Sequence, residues 1–245
     1  MTVFKDKTRG EEIGELKAEA EPEARRRKAK KIVIVVGAIV VAVVAVALAI
    51  TQFIIPNKQA RALQEAFGER VGIGDSVSFG RYEQDNDFGN GQEPILWRIL
   101  AVEDGKVLLI SDKILDCRQF NSSREKGNDW ATSDLKSWLD GEFANSAFFS
   151  DEMEKIYEIT CISFAESREY FKNDDDRACQ PTEYAKTQGD LYVASDTGCS
   201  RWWFRTAGLY PYYASYSYSN GYVTLTGWDA GNTTNGVRPA LWLNL

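Results

Sequence analysis

The chain has 245 residues, 44% hydrophobic and 27% charged, enough for one or two packed domains, and this excludes a disordered or collagen-like chain and a disulfide-only miniprotein. It contains no histidine, which excludes Ser-His-Asp and Cys-His nucleophile activation and imidazole zinc sites. Residues 1–31 carry 10 Lys and Arg against 7 acids, whereas the remainder carries 19 against 29, so the two parts are suited to different surroundings.

Residues 1–31 have charge runs and few large apolar side chains, which predicts a disordered or loosely helical cytoplasmic tail. From Ile32 to Ile50 run nineteen residues without a charged or polar side chain. At 1.5 Å each they cover a ~30 Å hydrocarbon core, so 32–50 is predicted to span a membrane. Arg25, Arg26, Arg27, Lys28, Lys30 and Lys31 precede it, and the positive-inside bias places the N-terminus in the cytoplasm and everything beyond the span outside. A cleaved signal peptide would need a shorter leader and apolar run. Ala38, Ala42, Ala45 and Ala49 form a small-residue stripe that suits self-association.

After the span, Asn57 is expected to cap a juxtamembrane stalk helix (51–70) ending near Phe67, with an extracytoplasmic α+β domain over 71–245. Ser76–Phe79, Ile95–Leu100 and Val107–Ile110 read as a β-meander, the last two joined through Glu103-Asp104-Gly105. The loop Asp85–Gly89 lacks the EF-hand ligands at the fifth and twelfth positions, and no metal is assigned there. Short helices are expected after Ser133, stopping at Gly141, at Ser150, and after the Ser163/Glu166 capping box; another would start at Pro181 and stop at Gly189. Asp174-Asp175-Asp176 reads as a solvated loop. Asn220-Gly221 is a two-residue hairpin signal pairing Ser217 with Thr224 and Tyr216 with Leu225, with Tyr216, Tyr218, Val223 and Leu225 facing the core and Ser215, Ser217 and Tyr222 facing water. Val237–Leu243 is a closing strand, its proline near the start.

Ile95-Leu96-Trp97-Arg98, Leu115-Asp116-Cys117, Leu135–Leu139, Ala178–Ala185, Cys199 with Trp202-Trp203-Phe204-Arg205, and Gly236–Trp242 together resemble an uncharacterised bacterial domain family whose members carry a WWLRSPG block and end in VRPALW. The likeness covers about 74–245; Phe204, Thr206 and a short passage around Tyr157–Ser167 depart from it. The resemblance implies a C-type-lectin-like scaffold, shared by sulfatase-modifying enzymes and by variable receptor proteins diversified at adenines. Trp202, Trp203, Arg205, Arg238 and Trp242 read either as core, each arginine held by carboxylates or indoles, or as a pocket lining.

Of Cys117, Cys161, Cys179 and Cys199, the pair Cys179 and Cys199 closes the shortest plausible loop and is the disulfide candidate, with free thiols and a redox or copper site as alternatives. Residues 207–236 hold six of eleven tyrosines, with Ser, Thr, Asn and Gly, Trp228, and Asp229 as sole charge. Antibody binding loops share that make-up, because Tyr and Trp give contact area at small entropic cost. The expected ligand-binding residues are Tyr210, Tyr212, Tyr213, Tyr222, Trp228, Asp229 and Asn232. The function expected is therefore membrane-anchored display of a surface for a protein or glycan, without enzymatic turnover, catalytic residues or cofactor; the acidic outer part argues against nucleic acid. The alternatives are a structural envelope protein and a sulfatase-modifying-type, cysteine-dependent enzyme.

Overall fold

The computed structural model describes the backbone of residues 9–68 and 70–245 and the side chains of residues 25–68 and 70–245. It falls into two compact units, up to Lys58 and from Gln59 to Leu245.

The first unit is helical. Helix α1 runs Arg9–Ala49, a π turn covers Ile50–Ile54, and helix α2 spans Ile55–Phe67. The expected tail is thus helical from Arg9; its first eight residues lie outside the described part. Pro56 has no N–H to complete an α-helical bond, and just before it the Ile55 N–H reaches back five residues to Ile50 O, which is the π pattern. The helix continues without a break, so Asn57 does not cap a stalk but lies inside α2. One 18-residue window has a mean hydropathy of 3.3, and its helix is long and apolar enough to cross a membrane. The side chains of residues 32–50 are exposed, Val35 by 57% and Val41 by 69%, as those of a soluble core helix would not be.

The second unit includes the second half of α2, because Leu63 is 2% exposed and Gln59 Nε2 donates to Val102 O at 3.0 Å. The domain therefore starts before Val71. Helix α2 ends at Gly68, whose φ of 74° is the left-handed conformation of a helix stop. Strands β1 (Ser76–Tyr82), β2 (Glu93–Glu103) and β3 (Lys106–Ser111) form the expected meander. Asp104 at φ 47° and Gly105 at φ 73° make the tight turn between β2 and β3.

A two-residue strand β4 (Asp116–Cys117) leads to α3 (Asp134–Trp138), a π turn at Leu139–Phe143 and α4 (Ala144–Ala147). Ser133 caps α3 by accepting from Lys136 N at 3.1 Å. Gly141 does not stop the helix: it lacks a positive φ, which a glycine stop requires, and the turn runs on through it. Helix α5 (Ser150–Met153), strand β5 (Ile156–Thr160) and helix α6 (Phe164–Glu169) follow. The Ser163/Glu166 capping box forms, each partner accepting from the other's backbone N–H.

Helix α7 (Asp174–Arg177) corrects the solvated-loop reading of the three aspartates. Asp176 pairs with Arg98 at 2.7 and 3.0 Å, and Asp174 pairs with Arg177. No helix starts at Pro181. That residue bridges to Ile114, and only a single tight turn, Ala185–Thr187, follows. Gly189 instead lies against Cys117, where an added Cβ would approach the sulfur to 3.0 Å.

The remaining strands are β6 (Trp202–Ala207), β7 (Tyr213–Ser217), β8 (Val223–Asp229), β9 (Gly236–Val237) and β10 (Ala240–Asn244). They complete two five-stranded sheets, ordered β1-β2-β3-β10-β5 and β4-β9-β6-β7-β8. All pairs are antiparallel except β6 with β9. Val107, Leu109, Trp203, Tyr216, Leu241 and Leu243 enter the larger core, and the alternate residues Leu108, Ile110, Trp202, Phe204 and Ala240 enter a second. Both faces of β3 and of the first half of β6 are thus covered, which is why Val107–Ile110 and Trp202–Phe204 are apolar on consecutive residues.

The β7–β8 register is one residue from the expected one: Ser217 pairs with Val223 and Tyr216 with Thr224. The turn is longer than two residues, Tyr218 N bonding Tyr222 O at 2.8 Å around Gly221 at φ 78°. Tyr216 is buried, as expected, but Leu225 is 49% exposed, because β8 is the sheet edge. Ser215 and Ser217 are fully buried rather than wet, their hydroxyls donating to Thr224 O and Tyr218 O at 2.8 and 3.2 Å.

Candidate functional site

The tyrosine-rich stretch builds a row of aromatic rings along β7 and β8. At one end, Tyr213 receives the edges of Tyr210 and Tyr212, each at 5.1 Å between centroids. Arg124 lies 5.0 Å from the Tyr212 ring and forms an ion pair with Asp229, whose other oxygen accepts from Gly231 N at 2.9 Å. In the middle, Trp228 meets Tyr216 at 5.9 Å; toward the turn, Tyr218 lies 4.7 Å from Tyr216 and 5.7 Å from Tyr222.

The structure therefore brings Tyr210, Tyr212, Tyr213 and Asp229 together and sets Trp228 and Tyr222 further along the same hairpin. Tyr210, Tyr222 and Trp228 are exposed by 48%, 55% and 39%, while Tyr212 and Tyr213 are half-buried. Asp229 and Asn232 are committed to the fold instead: Asn232 Oδ1 accepts from Thr234 N and Thr234 Oγ1 at 2.8 and 2.6 Å, closing the loop after β8.

Two neighbours of this row went unnoticed in the sequence. Arg201, directly before β6, lies 4.3 Å from the Tyr192 ring and 5.4 Å from that of Trp228. Its place beside the Trp202-Trp203 block was a signal; nothing in the sequence marked Tyr192. The block itself is core: Trp202 and Trp203 are fully buried, Arg238 lies 5.1 Å from the Trp202 ring, and Arg205 holds Glu166 at 2.6 and 2.7 Å.

A separate cleft of about 560 Å³ opens between α3, its π turn and the segments around Cys117, Gln188 and Thr233, a size in the range of small-molecule pockets. Arg118 stacks over Trp138 at 4.6 Å and approaches the buried Asp116 at 3.3 Å. Asp116 accepts from Tyr82 Oη at 2.8 Å and from Cys117 N at 2.7 Å. Burial pushes the Asp116 carboxyl above its ordinary value, against the pull of Arg118 and of the Tyr82 hydrogen bond.

All four cysteines are free, so the expected Cys179–Cys199 disulfide is not formed. Ser200, not Cys199, stands opposite Cys179, and the Cys179 thiol is turned to Asp112 O at 3.3 Å. Burial, reinforced by Asp116, pushes the Cys117 thiol up to about 12; burial alone does the same for Cys161. Protonated thiols are poor nucleophiles and poor metal ligands. Among the described residues one group of carboxylates can hold a metal ion: Glu83, Asp85 and Glu93, with oxygens within 4.8 Å of one another. Loop N–H groups already occupy them, Asn86 N on Glu83 and Gln84 N on Glu93, both at 2.7 Å, and Asp87 N on Asp85 at 2.8 Å.

Comparison with curated proteins and with solved structures finds no match to the chain. A family model for a domain of unknown function, DUF6273, matches residues 104–169 and 163–245, together more than half of the sequence. The region it matches holds both the aromatic row and the cleft, and the chain accordingly belongs to the DUF6273 family.

Proposed function

We propose that this chain is a single-pass membrane protein, N-terminus in the cytoplasm, whose outer domain binds a protein or glycan on the aromatic row of the β7–β8 hairpin. The observation that carries the reading is the exposure of Trp228 on the edge strand β8 and of Tyr210 and Tyr222 in the turns on either side of β7. Large rings left in water on a rigid strand pair supply contact area at little conformational cost, and their phenol and indole groups can hydrogen-bond a ligand. The apolar helix and the basic residues before it support the anchor and its orientation. The quoted sequence blocks and the two twisted sheets with short helices support a C-type-lectin-like scaffold.

The test is a glycan and surface-protein binding screen with the full chain in detergent micelles, repeated with Tyr210→Ala and Tyr222→Ala. Each change should weaken binding about tenfold or more without altering thermal unfolding, the behaviour of aromatic hot spots. Unchanged affinity in both variants would remove the row as the binding surface.

A further inference from the structure

Among the described residues, Arg201 lacks the carboxylate partner that Arg98 and Arg205, half-buried like it, both have. Arg98 and Arg205 hold Asp176 and Glu166 through two bonds each. Arg177 pairs with Asp174 and also donates to Gly221 O at 3.0 Å. The Nε of Arg201 is buried and has no hydrogen-bond partner among the described residues, and no carboxylate there forms an ion pair with it. Its neighbours are the rings of Tyr192 and Trp228, and cation–π contact leaves N–H donors unused.

Two further unpartnered groups share its surroundings. Trp202 pairs with Gly236 in parallel, so Arg201 and Asn235, one step earlier on each strand, lie on one face of the sheet. Trp203, two residues beyond Arg201, pairs with Tyr216, which places the tyrosine on that same face. Tyr216 is fully buried and Asn235 is 1% exposed, yet Tyr216 Oη and both polar atoms of the Asn235 side chain lack partners among the described residues. Burial, reinforced by the Tyr218 phenol beside it, raises the Tyr216 phenol above its ordinary value, keeping its proton in place at neutral pH. Buried polar groups in native proteins are nearly always satisfied, so three such residues on one face of the sheet, two of them against the Trp228 ring, mark a place where a ligand supplies what is missing.

Resting on the reading of this sheet as a binding surface, we infer that Arg201, Tyr216 and Asn235 recognise a carboxylate carried on a sugar ring. A guanidinium fork matches a carboxylate in geometry as well as charge. The tyrosine hydroxyl and the asparagine amide add donors, and the amide oxygen accepts from a neighbouring sugar hydroxyl. Tyr192 and Trp228, 41% and 39% exposed, offer ring faces for the apolar side of a pyranose. One cation in a domain richer in acids than bases suits a single negative charge better than a doubly charged phosphate.

The probes are tetragalacturonate and its methyl ester, which keeps the rings and removes the charge, titrated into the full chain in detergent micelles with tryptophan fluorescence as readout. The acid should bind saturably, the ester at least tenfold more weakly, and Arg201→Gln should lose the acid by at least tenfold while Arg201→Lys loses less. Equal binding of acid and ester overturns the inference, and because both are measured on the unmutated protein this holds even if Arg201→Gln misfolds. Absence of saturable binding to the acid overturns it too. Sodium acetate or sulfate competing as well as the sugar acid at equal concentration overturns the sugar requirement. A hit in the wider screen that is lost with Tyr222→Ala but untouched by Arg201→Gln would leave the binding surface standing and remove only this carboxylate point.

Discussion

Arg205 and Glu166 show how one charged pair fastens two elements. Glu166 closes the cap of α6, accepting from Ser163 N at 2.6 Å, while Arg205 on β6 donates to it and to Cys161 O at 2.8 Å. Burial alone would raise the Glu166 carboxyl, but the Arg205 bonds and the Ser163 N–H outweigh it and hold the group below its ordinary value. A depressed carboxyl contributes stability that is present above the unfolded value of about 4.3 and lost as pH falls through the folded one. Glu166→Gln should therefore cost about 1–3 kcal/mol at pH 7, and its melting temperature should fall less between pH 6 and pH 3 than that of the native chain. An unchanged acid slope in melts across that range would argue against the pair. Asp116 has the opposite sign: its raised carboxyl contributes stability that diminishes as pH climbs above about 3.9.

At the level of elements, the β7–β8 turn is fixed by a glycine that has no substitute. A Cβ on Gly221 would stand 1.7 Å from Asp174 O, and its φ of 78° strains any L side chain. Gly221→Ala should destabilise by about 2–4 kcal/mol, lowering the melting temperature on the order of 5–15 °C in circular dichroism. Asn220→Ala loses one hydrogen bond to Tyr222 N, of 3.1 Å, and should cost about 1 kcal/mol or less. A melt in which the two variants fall equally would contradict this account of the turn. The same turn shows how much structure the sequence displays. Its existence was readable from Asn220-Gly221, but its extra residue was not, and that residue shifted the pairing and the exposure of Leu225. The meander and the Ser163 cap were readable because their signals are local. The Pro181 segment was misread because its partner, Ile114, is remote in sequence, and pairing there overrode local preference. Within the site, ring composition pointed to Tyr210, Tyr222 and Trp228; Arg201 emerges only from the structure, where its Nε is buried without a partner among the described residues.

For the whole molecule, the proposed orientation makes a chemical prediction. Cys199 is the one cysteine with partial exposure, the other three being buried. A membrane-impermeant maleimide added to intact cells should add one label, and Cys199→Ser should abolish it. Labelling that requires lysis would put the domain on the cytoplasmic side. The sheet order carries a further consequence for how the protein is made. Strand β10, the last in sequence, lies between β3 and β5, with Leu241 opposite both Leu109 and Ile159. A chain made from its N-terminus holds β3 and β5 well before the strand that joins them, so the first sheet must wait, open at its middle, until the final segment has been delivered. Factors that hold the growing chain would matter more for such a protein than for one whose neighbouring strands arrive in order.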